Sequence, residues 1–160
     1  MCPVSALGVL WVVAMLALAL DARAQDLAVT ARHFGGGLDV RHDWSVQLVG
    51  TEVTIERSGK SARRVRRVRG RDVNALKRSI EESGFSHLHS RYGCFQCSDN
   101  PVCSLMVTLG GVTKEVRLYQ YMSSGLPLSS PEAEDVRRFM TVWRAVKRLA
   151  GLSGAKEFCP

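Results

Sequence analysis

The cysteines are the residues of this sequence whose type and spacing offer the most chemistry. Three of them lie in one short segment and a fourth lies next to the C-terminus; they are Cys94, Cys97, Cys103 and Cys159. A thiolate can attack a disulfide, bind a soft metal ion or be oxidised to a structural disulfide. The cellular compartment and the neighbouring structure decide which of these reactions applies.

The pair Cys94 and Cys97 has the Cys-x-x-Cys spacing of thiol–disulfide exchange proteins. In those proteins the first cysteine lies at a helix N-terminus, which lowers the pKa of its thiol. Here Gly93 precedes the pair and a predicted turn over residues 98–101 follows it. Because no helix is expected at this position, thiol–disulfide exchange is an alternative hypothesis and not the leading one.

A metal site is the second alternative. The candidate ligands are the four cysteines with His87 and His89 nearby. Zinc favours four such donors, but the gap between Cys97 and Cys103 and the remote Cys159 do not match common zinc spacings. No Gly-x-Ser-x-Gly, phosphate-binding glycine loop or His-Glu-x-x-His pattern occurs either. We therefore predict no catalytic residue, no metal and no cofactor.

The N-terminal segment predicts export. An apolar run over residues 9–20 is followed by Ala22-Arg23-Ala24, which is the small-x-small pattern of a signal peptidase site. We predict a signal peptide over residues 1–24, cleaved after Ala24, and a periplasmic or secreted mature protein. The run is shorter than the ~20 apolar residues of a spanning helix, so no transmembrane segment is expected after cleavage. A retained N-terminal anchor stays open, because no Lys or Arg precedes the run.

Export favours disulfides, because thiols outside the cytoplasm are driven to oxidation. Cys2 precedes the apolar run and would leave with the signal, so an even number of cysteines remains. Four cysteines allow three connectivities. We predict a pairing of Cys94 with Cys97 and of Cys103 with Cys159.

The positive charge of the chain is concentrated between residues 57 and 78. The net charge of the whole chain is +7, and this stretch contains a single acid, Asp72. Its candidate anion-binding residues are Arg63, Arg64, Arg66, Arg67, Arg69 and Arg71. Such a patch could hold an anionic envelope polymer, a lipid surface or a protein partner. Nucleic acid is not expected as a ligand, because the arginine run has no aromatic residue for base stacking. Export would also separate the protein from most nucleic acid in the cell. The alternative is a solvated edge strand that resists aggregation.

The elements that position these residues follow from hydrophobic periodicity. Alternating apolar residues over 44–55, broken at Gly50-Thr51, predict a hairpin, to which the arginine run adds a third strand. The next element is a predicted helix, which Asp72 caps at its N-terminus and Gly84 ends in a left-handed conformation. A second hairpin turns at Gly110-Gly111, and a helix opens at Pro131 and stops at Gly151.

The resulting order, βββ-α-ββ-α, predicts an α+β fold. We expect an antiparallel sheet of a meander plus a hairpin, with two helices packed on one face and disulfides as staples. The three glycines at 35–37 suggest a flexible N-terminal segment over 25–42. A single α+β domain would then span 43–150, and a C-terminal tail 151–160.

Three short segments carry a resemblance to a known family. They are Gly-Phe-Ser-His-Leu-His-Ser-Arg-Tyr at 84–92, Ser-Asp-Asn-Pro at 98–101, and the Gly-Gly hairpin with Thr-Lys-Glu-Val at 113–116. Over residues 44–150 the chain resembles a bacterial extracytoplasmic family, domain of unknown function 6438. The resemblance implies the same order of elements; no activity, cofactor or catalytic residue attaches to the family, so nothing functional carries over. Export, the basic charge and the missing catalytic motifs make the leading hypothesis a non-enzymatic, exported module that binds an anionic envelope component or a protein partner.

Overall fold

The structure, a computed structural model, describes residues 27–35, 43–93, 101–119 and 131–153. The predicted signal peptide over 1–24 lies outside these ranges, as do Cys94, Cys97 and Cys159 and most of the predicted tail over 151–160. The statements on structure that follow concern the described residues.

Seven strands form a single sheet, and two helices accompany it. The strands are β1 (Leu27–Phe34), β2 (Trp44–Val49), β3 (Glu52–Arg57), β4 (Lys60–Arg67), β5 (Arg91–Tyr92), β6 (Val102–Leu109) and β7 (Val112–Tyr119). The helices are α1 (Gly70–Glu82) and α2 (Pro131–Ala150), and a single 3₁₀ turn spans Phe85–His87. The strand order is β4-β3-β2-β1-β6-β7-β5. Every neighbouring pair is antiparallel except β5 with β7.

Strand β1 shows that the prediction of a flexible segment over 25–42 is wrong for residues 27–34. The strand is central, because it pairs with β2 on one side and with β6 on the other. Leu27, Val29, Ala31 and His33 alternate with more exposed neighbours and are all buried. The period of two is weak in the sequence because an alanine and a histidine occupy two of the four buried positions. Strand β6, the second partner of β1, lies far along the chain, so no local sequence pattern predicts this pairing.

The α+β class and the mostly antiparallel sheet are confirmed. The predicted meander corresponds to β2, β3 and β4, and the predicted second hairpin to β6 and β7. Gly110 and Gly111 both have positive φ, 57° and 79°, as a two-residue turn with the twist of a hairpin requires. The two-residue strand β5 was not predicted, because two residues are too short for any periodicity.

Helix α1 begins earlier than predicted. Its first residue is Gly70 and its N-cap is Arg69, whose side chain makes no capping hydrogen bond. Asp72 therefore lies within the first turn, where its negative charge interacts favourably with the positive end of the helix dipole. Gly84 follows the helix with φ of 64°, which confirms the predicted left-handed position.

One core holds the sheet and both helices together. The buried residues of α1 and α2 form a single cluster with those of the sheet, and the two helices contact each other. They therefore cover the same face of the sheet, as predicted; we call this face the helix side and the other the open side. At the centre lies Trp143, fully buried, with ring centroids 5.0 Å from Trp44 and 5.9 Å from Phe139. No described element covers the open side, where Phe34 is 48% exposed.

Replacing Trp143 by Ala should destabilise the protein strongly, because the indole fills the contact between α2 and the sheet. We expect a loss of about 3–5 kcal/mol in the free energy of unfolding, measured by urea denaturation. Val112→Ala is the control, since Val112 is 69% exposed and its truncation should change stability by less than about 0.5 kcal/mol. Equal effects of the two substitutions would contradict this account of the core.

Candidate functional site

The arginine-rich segment forms the edge of the sheet. Four of its arginines lie on β4, the outermost strand of the order, which is hydrogen-bonded to β3. The other two, Arg69 and Arg71, lie at the start of α1. All six side chains are exposed. We call Arg63, Arg64, Arg66, Arg67, Arg69 and Arg71 together the arginine band.

The pleat of β4 divides the band between the two faces of the sheet. Arg64 and Arg66 are paired in register with Ile55 and Val53, which point into the core, so both belong to the helix side. Their neighbours along the strand point the other way. Arg67 stands opposite Glu52 on the open side, and Arg63 lies on that side as well.

Acidic partners are few and weakly bound. On the open side, Arg63 Nε lies 3.9 Å from Glu56 Oε1, and Arg63 Nη2 lies 3.5 Å from Thr54 Oγ1. At the start of α1, Arg71 Nε lies 3.8 Å from Asp72 Oδ1. Exposed pairs of this length contribute little to stability. An external anion would therefore displace little internal interaction on binding the band.

A groove lies on the helix side between β4, α1 and α2. Its volume is about 340 Å³. The residues that line it are Arg66, Val68, Asp72, Ala75, Leu76, Ser79, Ala145, Arg148 and Leu149, and we call it the Arg66 groove. Arg148 was not predicted as a site residue, because it lies on the last turn of α2, far from the arginine run in sequence. Only the packing of α2 beside β4 brings these two cations to one groove.

The guanidinium of Arg66 reaches the C-terminal end of α2. A Cβ atom placed on Gly151 would lie 3.0 Å from Arg66 Nη1. Gly151 has φ of 70° and directly follows the helix. Carbonyl groups at a helix C-terminus carry partial negative charge, so this end of α2 is a favourable place for the Arg66 cation.

A second cavity, at the other end of the sheet, carries charges of both signs. Its volume is about 440 Å³, and Arg32, Arg57, Asp43 and Glu56 are among its lining residues. It also borders Trp44, whose buried Nε1 has no hydrogen-bond partner among the described residues. Since two acids balance two arginines, this cavity offers no net charge to an anionic ligand.

Cys103 is fully buried near the start of β6, paired in register with His33 on β1 and Leu118 on β7. It is the single cysteine of the described residues, so no disulfide joins two of them. The predicted disulfide staples therefore stay a prediction. The described residues contain no group of three or more potential metal ligands.

His87 and His89 are both exposed and flank the buried Leu88. The backbone N–H of His89 donates a hydrogen bond to the Tyr92 hydroxyl over 2.7 Å. The rings of His89 and Tyr92 meet edge to face, with centroids 6.1 Å apart. The His89 ring therefore packs against the Tyr92 ring.

The Tyr92 hydroxyl joins the sheet to α2, a connection that the sequence analysis missed. It donates a hydrogen bond to Asp135 Oδ2 over 2.9 Å, while accepting the one from His89. Burial of the ring, reinforced by the hydrogen bond to Asp135, raises the pKa of Tyr92 to about 12. A phenol next to a carboxylate is held in its protonated form, so this group positions α2 and does not act as a base at neutral pH.

The described residues contain no helix long and apolar enough to cross a membrane. No protein-family model matches the chain, and no curated protein matches it. The resemblance to domain of unknown function 6438 therefore stays a prediction.

The Tyr92 contact should make stability depend on pH in the alkaline range. The folded protein holds the Tyr92 proton more tightly than the unfolded chain, whose tyrosines titrate near pH 10. The contribution of the phenol is therefore complete below pH 10 and is lost as the pH rises toward 12. Tyr92→Phe should cost about 1–2 kcal/mol at pH 7. In urea denaturation, the difference between the two proteins should shrink above pH 10; a difference that stays constant up to pH 12 would contradict the assignment.

Proposed function

We propose that this chain is a non-enzymatic, exported module that binds an anionic component of the cell envelope through the arginine band. The observation that carries the proposal is the position of the band. Exposed guanidinium groups project from both faces of an edge strand and continue onto the first turn of α1. An edge presents its charges to a wide range of directions, which suits an extended polymer or a lipid surface better than a small enclosed substrate.

The charge balance of the band supports binding of anions. Arg64, Arg66 and Arg69 form no ion pair with a described residue, and Arg63 and Arg71 have the long, exposed pairs given above. Local positive potential of this kind raises the concentration of anionic ligands at the surface. Its range is about 8–10 Å at physiological salt, so binding should weaken as the ionic strength rises.

Export is part of the same proposal. We infer a signal peptide over 1–24 and a periplasmic or secreted protein. Cleavage after Ala24 would leave Gln25 and Asp26 ahead of β1, which begins at Leu27. Removal of the signal would therefore leave the central strand of the sheet intact.

Neutralising two arginines of the band should weaken binding to polyanions. The double variant Arg64→Gln/Arg67→Gln removes one guanidinium from each face of β4. Each arginine near an anionic surface contributes about 1 kcal/mol, so affinity for vesicles containing phosphatidylglycerol should fall roughly 25-fold at low salt. Elution from a heparin column should move to lower salt in parallel.

The matched control for this experiment is Arg137→Gln/Arg138→Gln. These exposed arginines lie on α2, and their removal changes the net charge by the same amount. The control should bind almost as the parent protein does. Equal losses in both double variants would show that net charge alone drives binding, and no salt-sensitive binding by the parent protein would overturn the proposed function.

The disulfide framework also belongs to the proposal, with Cys94 paired to Cys97 and Cys103 to Cys159. The second bridge makes a strong demand on the tail. Gly151 lies beside Arg66, four strands from β6 and toward the other end of the sheet from Cys103. The distance is on the order of 20–25 Å, and eight residues reach at most about 27 Å. The proposed bridge therefore requires most of the reach that eight residues provide.

Mass mapping of the purified, non-reduced protein should find no free thiol and the two bridges proposed above. The N-terminal peptide in the same digest should begin at Gln25. A peptide that links Cys103 to Cys94 or Cys97 would refute the connectivity. Free thiols at Cys94 and Cys97 would instead favour the thiol–disulfide exchange or metal-binding hypotheses, and a peptide that begins at Met1 would refute cleavage.

A further inference from the structure

We propose that the Arg66 groove binds a single-chain anionic amphiphile, with its phosphate or carboxylate head between Arg66 and Arg148 and its apolar chain between the two helices. The inference rests on the proposed function and deepens it, because it names a ligand class for one part of the arginine band. It also assigns a binding residue, Arg148, outside the band.

The groove is formed where one stripe of α1 faces the last turns of α2. Asp72, Ala75, Leu76 and Ser79 follow the i, i+3, i+4, i+7 spacing of a single helix face. Ala145, together with Leu149, lines the α2 wall. Alanines on both walls leave space between the helices that larger side chains would fill.

The floor of this space is apolar. Leu76 is buried, while Val68 and Leu149 are half-buried and pack against the core. An alkyl chain in the groove would cover the part of these side chains that water now contacts. Burial of apolar surface is favourable in proportion to its area, so each buried methylene should tighten binding by about fourfold.

The charge in the groove is positive. It contains two arginines and one acid, and the acid, Asp72, already has Arg71 beside it. Neither Arg66 nor Arg148 forms an ion pair with a described residue. Two guanidinium groups provide the planar, paired donors that suit a phosphate or carboxylate head.

The end of α2 leaves the Arg66 donors available. The carbonyls of Lys147 and Arg148 already accept hydrogen bonds from the N–H groups of Leu152 and Gly151, over 2.8 and 3.1 Å. The Arg66 guanidinium lies beside this helix end, two of whose last carbonyls therefore already have partners within the backbone. The helix dipole stabilises the Arg66 cation at this position, while the guanidinium N–H groups stay free to bind a head group.

The size of the groove favours a single chain over a polymer. Small-molecule sites have volumes of about 300–1,000 Å³, and the groove, at about 340 Å³, lies at the lower end of this range. One alkyl chain with one head group fits a space of this kind. A polysaccharide would bind across the band instead, and would make no use of the apolar floor.

The test is calorimetric titration with monomeric alkyl phosphates below their aggregation concentration, with inorganic phosphate as the head-group probe. Affinity should rise about fourfold per methylene from hexyl to octyl phosphate, and inorganic phosphate should bind far more weakly. Arg148→Gln should reduce the affinity for octyl phosphate at least tenfold. Ala75→Leu, which fills the groove from an exposed helix position, should reduce it similarly.

The control is Arg144→Gln, which removes the same charge from an exposed position one turn earlier on α2, outside the groove lining. It should leave the affinity for octyl phosphate within about twofold, and circular dichroism should show all three variants folded. Equal loss in Arg144→Gln and Arg148→Gln, an affinity independent of chain length, or binding to phosphatidic acid vesicles without binding to the monomer would overturn the inference.

The two proposals fail in different ways. Salt-sensitive binding to heparin without binding to octyl phosphate would overturn the groove and leave the proposed function standing. Binding to octyl phosphate that Arg148→Gln abolishes, with no retention on heparin or anionic vesicles, would support the groove and overturn the envelope-surface function.

Discussion

The architecture depends on the backbone hydrogen bonds of β1. This strand pairs along its length with β2 on one side and with β6 on the other. The meander of β2 to β4 and the hairpin of β6 and β7 have no other connection within the sheet order. Without β1 the helices would face two separate small sheets, and the core around Trp143 would lose its continuous floor. An exposed hairpin alone is marginally stable in water, which makes this joining strand essential.

The same sheet geometry decides how the arginines are presented. Successive side chains of a strand alternate between faces, so a run of arginines cannot form one flat patch. On β4 the alternation sends Arg64 and Arg66 toward the helices and Arg67 toward the open side. Arg66 then lines the same groove as Arg148 on the last turn of α2, and this groove has an apolar floor. The edge position explains why so much charge is tolerated, since charged edge strands also resist pairing with other chains.

Features with a strong local signal were predictable. The hairpin at Gly110-Gly111 requires two positive φ values, and the buried stripe of α2 has a helical period; both were read from the sequence. Strand β1 was missed because Ala31 and His33 weaken its pattern and because its pairing with β6 is remote in sequence. The bond from Tyr92 to Asp135 was missed for a similar reason, since 43 residues separate the two.

By itself the sequence determined the α+β class, the meander, the second hairpin, both helices and the concentration of positive charge before and within α1. These depend on periodicity, turn residues and composition, which act over a few neighbouring residues. The tertiary structure alone decided that β1 is central and that the arginine band is split between two faces of the sheet. It also decided that Arg148 lines the same groove as Arg66. Each of these depends on which distant segments pack together, and the free energy of that packing is spread over the whole core rather than over any local pattern.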